Sequence, residues 1–159
     1  MSDSKRYPVP TDFAARTYVK AADYEALYRR SIEDREGFWA QQAGSLVTWM
    51  KAPTHVVTED LARGHIRWFE DGVLNVSANC LDRHLATRAD QTALIWEGDD
   101  PADSRPVSYR ALHDEVCRLA NVLKTRGVTK GDRVCIYMPM VPAAVAAMLA
   151  CARIGAVHS

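Results

Sequence analysis

The sequence predicts an α/β fold, and three observations carry that prediction. From Thr92 onward the apolar patterning alternates strand, strand, helix, strand, helix, strand, the order of a layered α/β domain. The closing stretch, Asp132 to Ser159, has the form of a βαβ unit whose second strand has only begun. The helix inside that unit, Ala143 to Ile154, has Arg153 as its one charge, the character of a helix buried on most sides.

Local chemistry suggests each element. Met1 to Lys20 is polar, carries Pro8 and Pro10, and reads as an extended arm. Ala22 to Ile32 places Tyr24, Leu27, Tyr28 and Ile32 on one helical stripe. A second helix is predicted from Asp34 to Ala43, stopping at Gly44 and carrying Phe38 and Trp39. His55 to Thr58 and His65 to Glu70 read as short strands around a turn at Arg63-Gly64, with Trp68 and Phe69 on opposite faces. These aromatics are expected to anchor an irregular segment of core rather than form a ligand platform.

Asn75 to Arg88 reads as one helix, with Asn75 or Ser77 as N-cap and Ala78, Leu81 and Leu85 as its stripe. Thr92 to Glu97 is a strand whose successive apolar residues predict cover on both faces. The acidic run Gly98 to Ser104 reads as a hairpin turn, and Pro106-Val107 as a short strand. Ser108 then caps a helix running to about Arg126, with Leu112, Val116, Leu119 and Leu123 recurring along one face and Gly127 ending it. Val134 to Met138 favours a buried strand. Pro142 suits the first turn of the last helix, where a missing N–H costs nothing, and Gly155 is its natural stop. That helix is far shorter than the roughly 20 residues that cross a bilayer, so no membrane span is predicted. A parallel sheet needs both faces covered, and little chain remains to cover this one. The sequence therefore reads as the N-terminal piece of a longer protein.

Composition narrows the function classes. A hydrophobic share of 48% supports a core and argues against global disorder. Lysine plus arginine equal aspartate plus glutamate at 20 each, which argues against a protein built mainly for nucleic acid. Cys80, Cys117, Cys135 and Cys151 show no C-x-x-C spacing and are expected to be buried thiols in a reducing compartment. MSDSKRYPVP has no apolar run, so no secretory signal is read and the cytoplasm is the expected location.

Motifs that carry chemistry are sparse. No Walker loop, G-x-G-x-x-G, G-x-S-x-G or H-E-x-x-H occurs. Asp82, Arg83 and His84 are adjacent, but neighbours on a helix do not face each other, so a structural role is expected. Asp99, Asp100 and Asp103 lack EF-hand spacing. His158-Ser159 would point opposite ways along a strand, and His158 is expected to be packed. The residues alone thus give a fold class and no reaction.

Longer blocks carry more information: Ser31-Ile-Glu-Asp-Arg-Glu-Gly-Phe38-Trp39, Trp68-Phe-Glu-Asp-Gly-Val-Leu-Asn75, Asn79-Cys-Leu-Asp-Arg-His84, Ala93-Leu-Ile-Trp-Glu-Gly-Asp99, Tyr137-Met-Pro-Met-Val-Pro142, and Met148 through Ser159. These resemble the acetyl-coenzyme A synthetases of the adenylate-forming superfamily, over nearly the whole chain from Tyr24. The Asn79–His84 block looks more like the acetate enzyme than its propionate- or acetoacetate-activating relatives.

The resemblance implies a helical and irregular N-terminal extension, residues 1–74, followed by the start of the layered large AMP-binding domain, residues 75–159. For the parent enzyme it implies acetate–CoA ligation through acetyl-adenylate, with ATP, Mg2+ and coenzyme A as cofactors and substrates. The phosphate loop, acetate pocket, nucleotide contacts and catalytic lysine of that family have no counterpart in this sequence. No catalytic, cofactor-binding or metal-ligating residue is therefore carried over, and the chain alone is expected to be inactive and to bind none of these molecules well. Its expected partner is the rest of the parent polypeptide, with neither nucleic acid nor membrane. The alternative readings are a freestanding non-catalytic interaction module and the same piece of a propionate-activating relative.

Overall fold

The computed structural model describes residues 7–100 and 102–159. The chain divides into two units, Met1–Leu46 and Val47–Ser159.

The first unit is helical: α1 Thr11–Arg16, α2 Ala21–Glu33 and α3 Arg35–Leu46. The expected extended arm thus contains a short helix, started by Pro10 and carrying an exposed Arg16–Asp12 pair at 3.5 Å; its first six residues lie outside the described ones. Asp23 accepts the Lys20 backbone N–H at 3.2 Å and closes the start of α2. Asp34 breaks the path at φ −131°, and its carboxylate accepts the Gly37 N–H at 3.1 Å. Arg30 then ties α2 to α3, donating to the Gln41 side-chain oxygen and the Gly37 carbonyl. Gly44 does not stop α3. A glycine inside a helix costs only about 1 kcal/mol relative to alanine, and the helix continues through it to Leu46. No residue of these three helices is buried.

The second unit opens with a hairpin, β1 Val57–Asp60 and β2 His65–Trp68, antiparallel and turned by a 3-10 segment at Leu61–Arg63 with Gly64 at φ 65°. Phe69 leaves the strand at φ 51°, so it does not continue the alternation expected after Trp68. Its ring instead lies 5.8 Å from Trp49 and 6.0 Å from Trp68. Gly72 is needed where it stands, because a Cβ there would lie 2.6 Å from the Trp49 ring.

The expected single helix over 75–88 is broken. α4 Val76–Cys80 ends at Leu81 (φ −122°, ψ −65°), a 3-10 turn covers Asp82–His84, and α5 Leu85–Arg88 follows. The break lets Leu81 sink into the core while Asp82 turns to a partner described below. β3 Thr92–Glu97 and β4 Ser104–Ser108 form an antiparallel hairpin, closed by the Gly98 N–H on the Asp103 carbonyl at 2.7 Å. Cover on both faces of β3 is not found: Ile95 is 66% exposed.

α6 Tyr109–Thr125 starts where predicted, with the Ser108 hydroxyl accepting the Ala111 N–H at 3.2 Å. β5 Arg133–Val134, α7 Pro142–Ile154 and β6 Val157–His158 complete the parallel βαβ unit, with Gly155 at φ 78° closing α7. The strand expected over 134–138 is only two residues long. Past Val134 one further bond joins the chain to the end of β6, from the Ile136 N–H to the Ser159 carbonyl, and Tyr137 stands fully exposed. The strands therefore form three separate two-stranded sheets rather than one continuous sheet. The core lies between α6 and α7: Val107, Leu112, Val116, Ala120, Ala146 and Ala150, with Leu81 beneath. Alanines on α7 allow its backbone to approach α6 closely.

Burial of all four thiols does not hold either. Cys151 is buried and Cys117 half-buried, whereas Cys80 ends the short α4 and Cys135 lies beyond β5, both exposed. Among the described residues no helix is long and apolar enough to cross a membrane.

Candidate functional site

A polar cluster sits where α4 and its following turn meet the end of α7. Asn75 serves two helices with one side chain. Its Oδ1 accepts the Ala78 N–H at 3.1 Å, capping α4, and its Nδ2 donates to the Ala152 and Arg153 carbonyls at 3.2 and 3.1 Å, satisfying the end of α7. Asn79 clasps the Thr48 backbone, accepting its N–H at 2.7 Å and donating to its carbonyl at 2.9 Å.

Arg153 leaves α7 to meet Asp82 in a bidentate pair, with four N···O distances of 2.8 to 3.2 Å. The one charge on the apolar helix is thereby neutralised as it is buried. The Arg153 Nε is buried with no hydrogen-bond partner. Both Asp82 oxygens are engaged by the guanidinium. Its other neighbour is His113 of α6, whose Nε2 lies 3.6 Å from Oδ1. His113 also stands 3.5 Å from the Cys117 Sγ through Nε2 and 3.3 Å from Asp114 through Nδ1. Beside this cluster a groove of about 520 Å³ opens between α6 and the end of α7, its lining including Cys117, Asn121, Lys124, Thr129 and Arg153.

Of the adjacent Asp82, Arg83 and His84, Asp82 turns to Arg153, while the Arg83 Nε–H donates to His84 Nε2 at 3.3 Å. His84 also lies against the Tyr109 ring at 5.2 Å, and burial followed by nearby Arg83 and Arg88 lowers its pKa, which favours the neutral ring. His158 is exposed rather than packed, and among the described residues β6 pairs with β5 alone. Ser159 takes part through its backbone, donating to the Val134 carbonyl at 3.1 Å. Burial raises the Cys151 thiol pKa and keeps it protonated. Among the described residues no group of three or more His, Cys, Asp or Glu is placed to hold a metal ion.

Sequence reasoning missed the Asp82–Arg153 pair and the double role of Asn75, whose partners lie more than 70 residues away. The lone arginine in an apolar helix signalled the pair, and the N-cap position of Asn75 signalled half of its role. The His113–Cys117 pair has a local signal, the i, i+4 spacing of one helix face.

Two family profiles match, end to end. One describes the acetyl-coenzyme A synthetase N-terminus and covers residues 24–80; the other describes AMP-binding enzymes and covers residues 81–159. Among solved structures, an acetoacetyl-CoA synthetase from Streptomyces lividans superposes with a TM-score of 0.76 at 34% identity, over 86% of this chain and 21% of that one. The hairpin, the α6–α7 layer and the βαβ unit are thus part of an adenylate-forming, AMP-binding fold.

The relatives narrow the class. The chain is 60% identical over 157 residues to an acetyl-coenzyme A synthetase of Bradyrhizobium diazoefficiens, covering 98% of this chain and 24% of that protein. Against the same enzyme of Alkalilimnicola ehrlichii it is 57% identical over 159 residues, covering 100% and 25%. The chain belongs to the acetyl-coenzyme A synthetase family of AMP-binding enzymes. It spans about a quarter of the length of these relatives.

Proposed function

We propose that this chain is the N-terminal portion of an AMP-forming acetate–CoA ligase and serves that enzyme as scaffold rather than as chemical machinery. The observation that carries the reading is the 57–60% identity to acetyl-coenzyme A synthetases along essentially the whole chain. The parent reaction would join acetate to ATP, release pyrophosphate from the acetyl-adenylate intermediate, and pass the acetyl group to the thiol of coenzyme A, with Mg2+ offsetting phosphate charge.

The residues present do not fit Mg2+–ATP. The sequence has no glycine-rich phosphate loop, and among the described residues no carboxylate or imidazole cluster is placed for a metal. No chemical step is therefore assigned to this chain, which alone is expected to show no acetate-dependent pyrophosphate release. Within the parent we read residues 1–74 as the family's N-terminal extension and 75–159 as the start of the large domain. The Asn75 cap and the α4–α7 clamp support starting the second region there.

A chimera tests the proposal. This chain replaces the matching quarter of the Bradyrhizobium diazoefficiens enzyme, and pyrophosphate release is followed with and without acetate. The reading expects acetate-dependent release within about tenfold of the parent, a loss of no more than about 1.4 kcal/mol in barrier. A soluble, folded chimera without that release would overturn it.

A further inference from the structure

From the geometry beside the groove we infer that Cys117 is a reactive thiol that exchanges with small anionic disulfides, with His113 as its base. This inference is independent of the proposed ligase role. The two residues lie one turn apart on α6 with Sγ 3.5 Å from Nε2. The far side of the ring faces Asp114 Oδ1 at 3.3 Å. A proton on Nδ1 donated to Asp114 leaves the Nε2 lone pair free to accept from the thiol. Nucleophile, base and base-orienting carboxylate are thus in series, the arrangement that activates a weak nucleophile. The charged groups facing His113 are Asp114 on its own helix, Asp82 from the turn after α4 at 3.6 Å, and Arg153 of α7 behind Asp82. Both carboxylates lie beside the ring that receives the thiol proton.

The surroundings select the co-reactant. Cys117 lines the groove of about 520 Å³, wide enough for a small peptide-sized molecule. Lys124 and Arg153 line it too, and since Arg153 is already neutralised by Asp82, Lys124 gives the groove its positive character. The reaction is thiol–disulfide exchange. The Cys117 thiolate attacks one sulfur of the small disulfide, a protein–S–S–R bond forms, the old S–S bond breaks, and the departing thiolate takes the proton from His113. The small disulfide is the oxidant and is reduced to one equivalent of thiol.

Exposure alone predicts another order of reactivity, because Cys80 and Cys135 are exposed while Cys117 is half-buried. The test treats the chain with oxidised glutathione, quenches with acid and maps the mixed disulfide by mass spectrometry. Cys117 is expected to be modified at least about tenfold faster than Cys80 or Cys135. His113→Asn should remove the advantage. Lys124→Gln should slow oxidised glutathione but not neutral hydroxyethyl disulfide. Modification of Cys80 or Cys135 as fast as Cys117 overturns the inference even if the variants fail to fold.

Discussion

Helices α2 and α6 carry the same kind of apolar stripe and end in opposite surroundings. On α2, Tyr24, Tyr28 and Ile32 are 57, 56 and 68% exposed, and on α6, Leu112 and Val116 are 4 and 0% exposed. Periodicity identifies the face a helix offers; it does not supply what covers that face. α6 finds β4, Leu81 and the alanines of α7 within this chain. A helix in water owes most of its stability to tertiary packing, so the α6–α7 layer should carry the stability of the chain and the α1–α3 unit little of it.

Truncating the two stripes breaks or sharpens that contrast most strongly. Leu112→Ala should cost about 2–5 kcal/mol in urea unfolding, because it leaves a cavity in a closed core. Ile32→Ala should stay within about 0.5 kcal/mol. Equal costs would mean that the α2 stripe is covered in solution. The ion pairs give the next contrast. Arg153→Met strands Asp82, and since that carboxylate is 39% exposed the cost should be about 1–3 kcal/mol, below that of a fully buried pair. Asp82→Leu added to it should recover part of the loss in a double-mutant cycle. Arg30→Met, which loosens the more exposed Arg30–Asp34 pair, should cost under about 1 kcal/mol.

Asn75→Ala removes one cap from each of two helices and should cost about 1–2 kcal/mol, read by the same unfolding curve. The smallest effect is local. The Thr54 hydroxyl and backbone N–H hold the Asp71 carboxyl down at about 2. A carboxylate with a lowered folded pKa contributes stability above its unfolded value of about 4, and loses it as pH falls from there toward about 2. An NMR titration should show the loop around Thr54 and Asp71 loosening in that window, and Thr54→Val should return the Asp71 midpoint toward the ordinary value.

What was legible in the sequence was local. Pro142 and Gly155 bracket α7, Ser108 starts α6, and the Gly98–Ser104 turn joins two strands, because each signal acts within four or five residues. What was not legible depends on distant partners. The break at Leu81 serves a core that lies mostly after residue 106, and Asp82 waits for Arg153. The short β5 and the exposed Cys80 and Cys135 reflect neighbours that strand propensity and hydrophobicity cannot report. The blocks that carried the family resemblance do coincide with these joints: Asn79, Leu81 and Asp82 fall in one, Arg153 and Gly155 in another. The resemblance assigned these residues no role, and the structure supplies it.

Amide hydrogen exchange on the intact chain, resolved by peptide, tests the contrast most directly. The account predicts that amides in the second half of α6 and in α7 from Ala146 onward exchange only through global unfolding. Those of α2 should exchange at least about a hundredfold faster, through local opening. Equal protection of α2 and α6, or rapid exchange at Ala150 and Cys151, would contradict it.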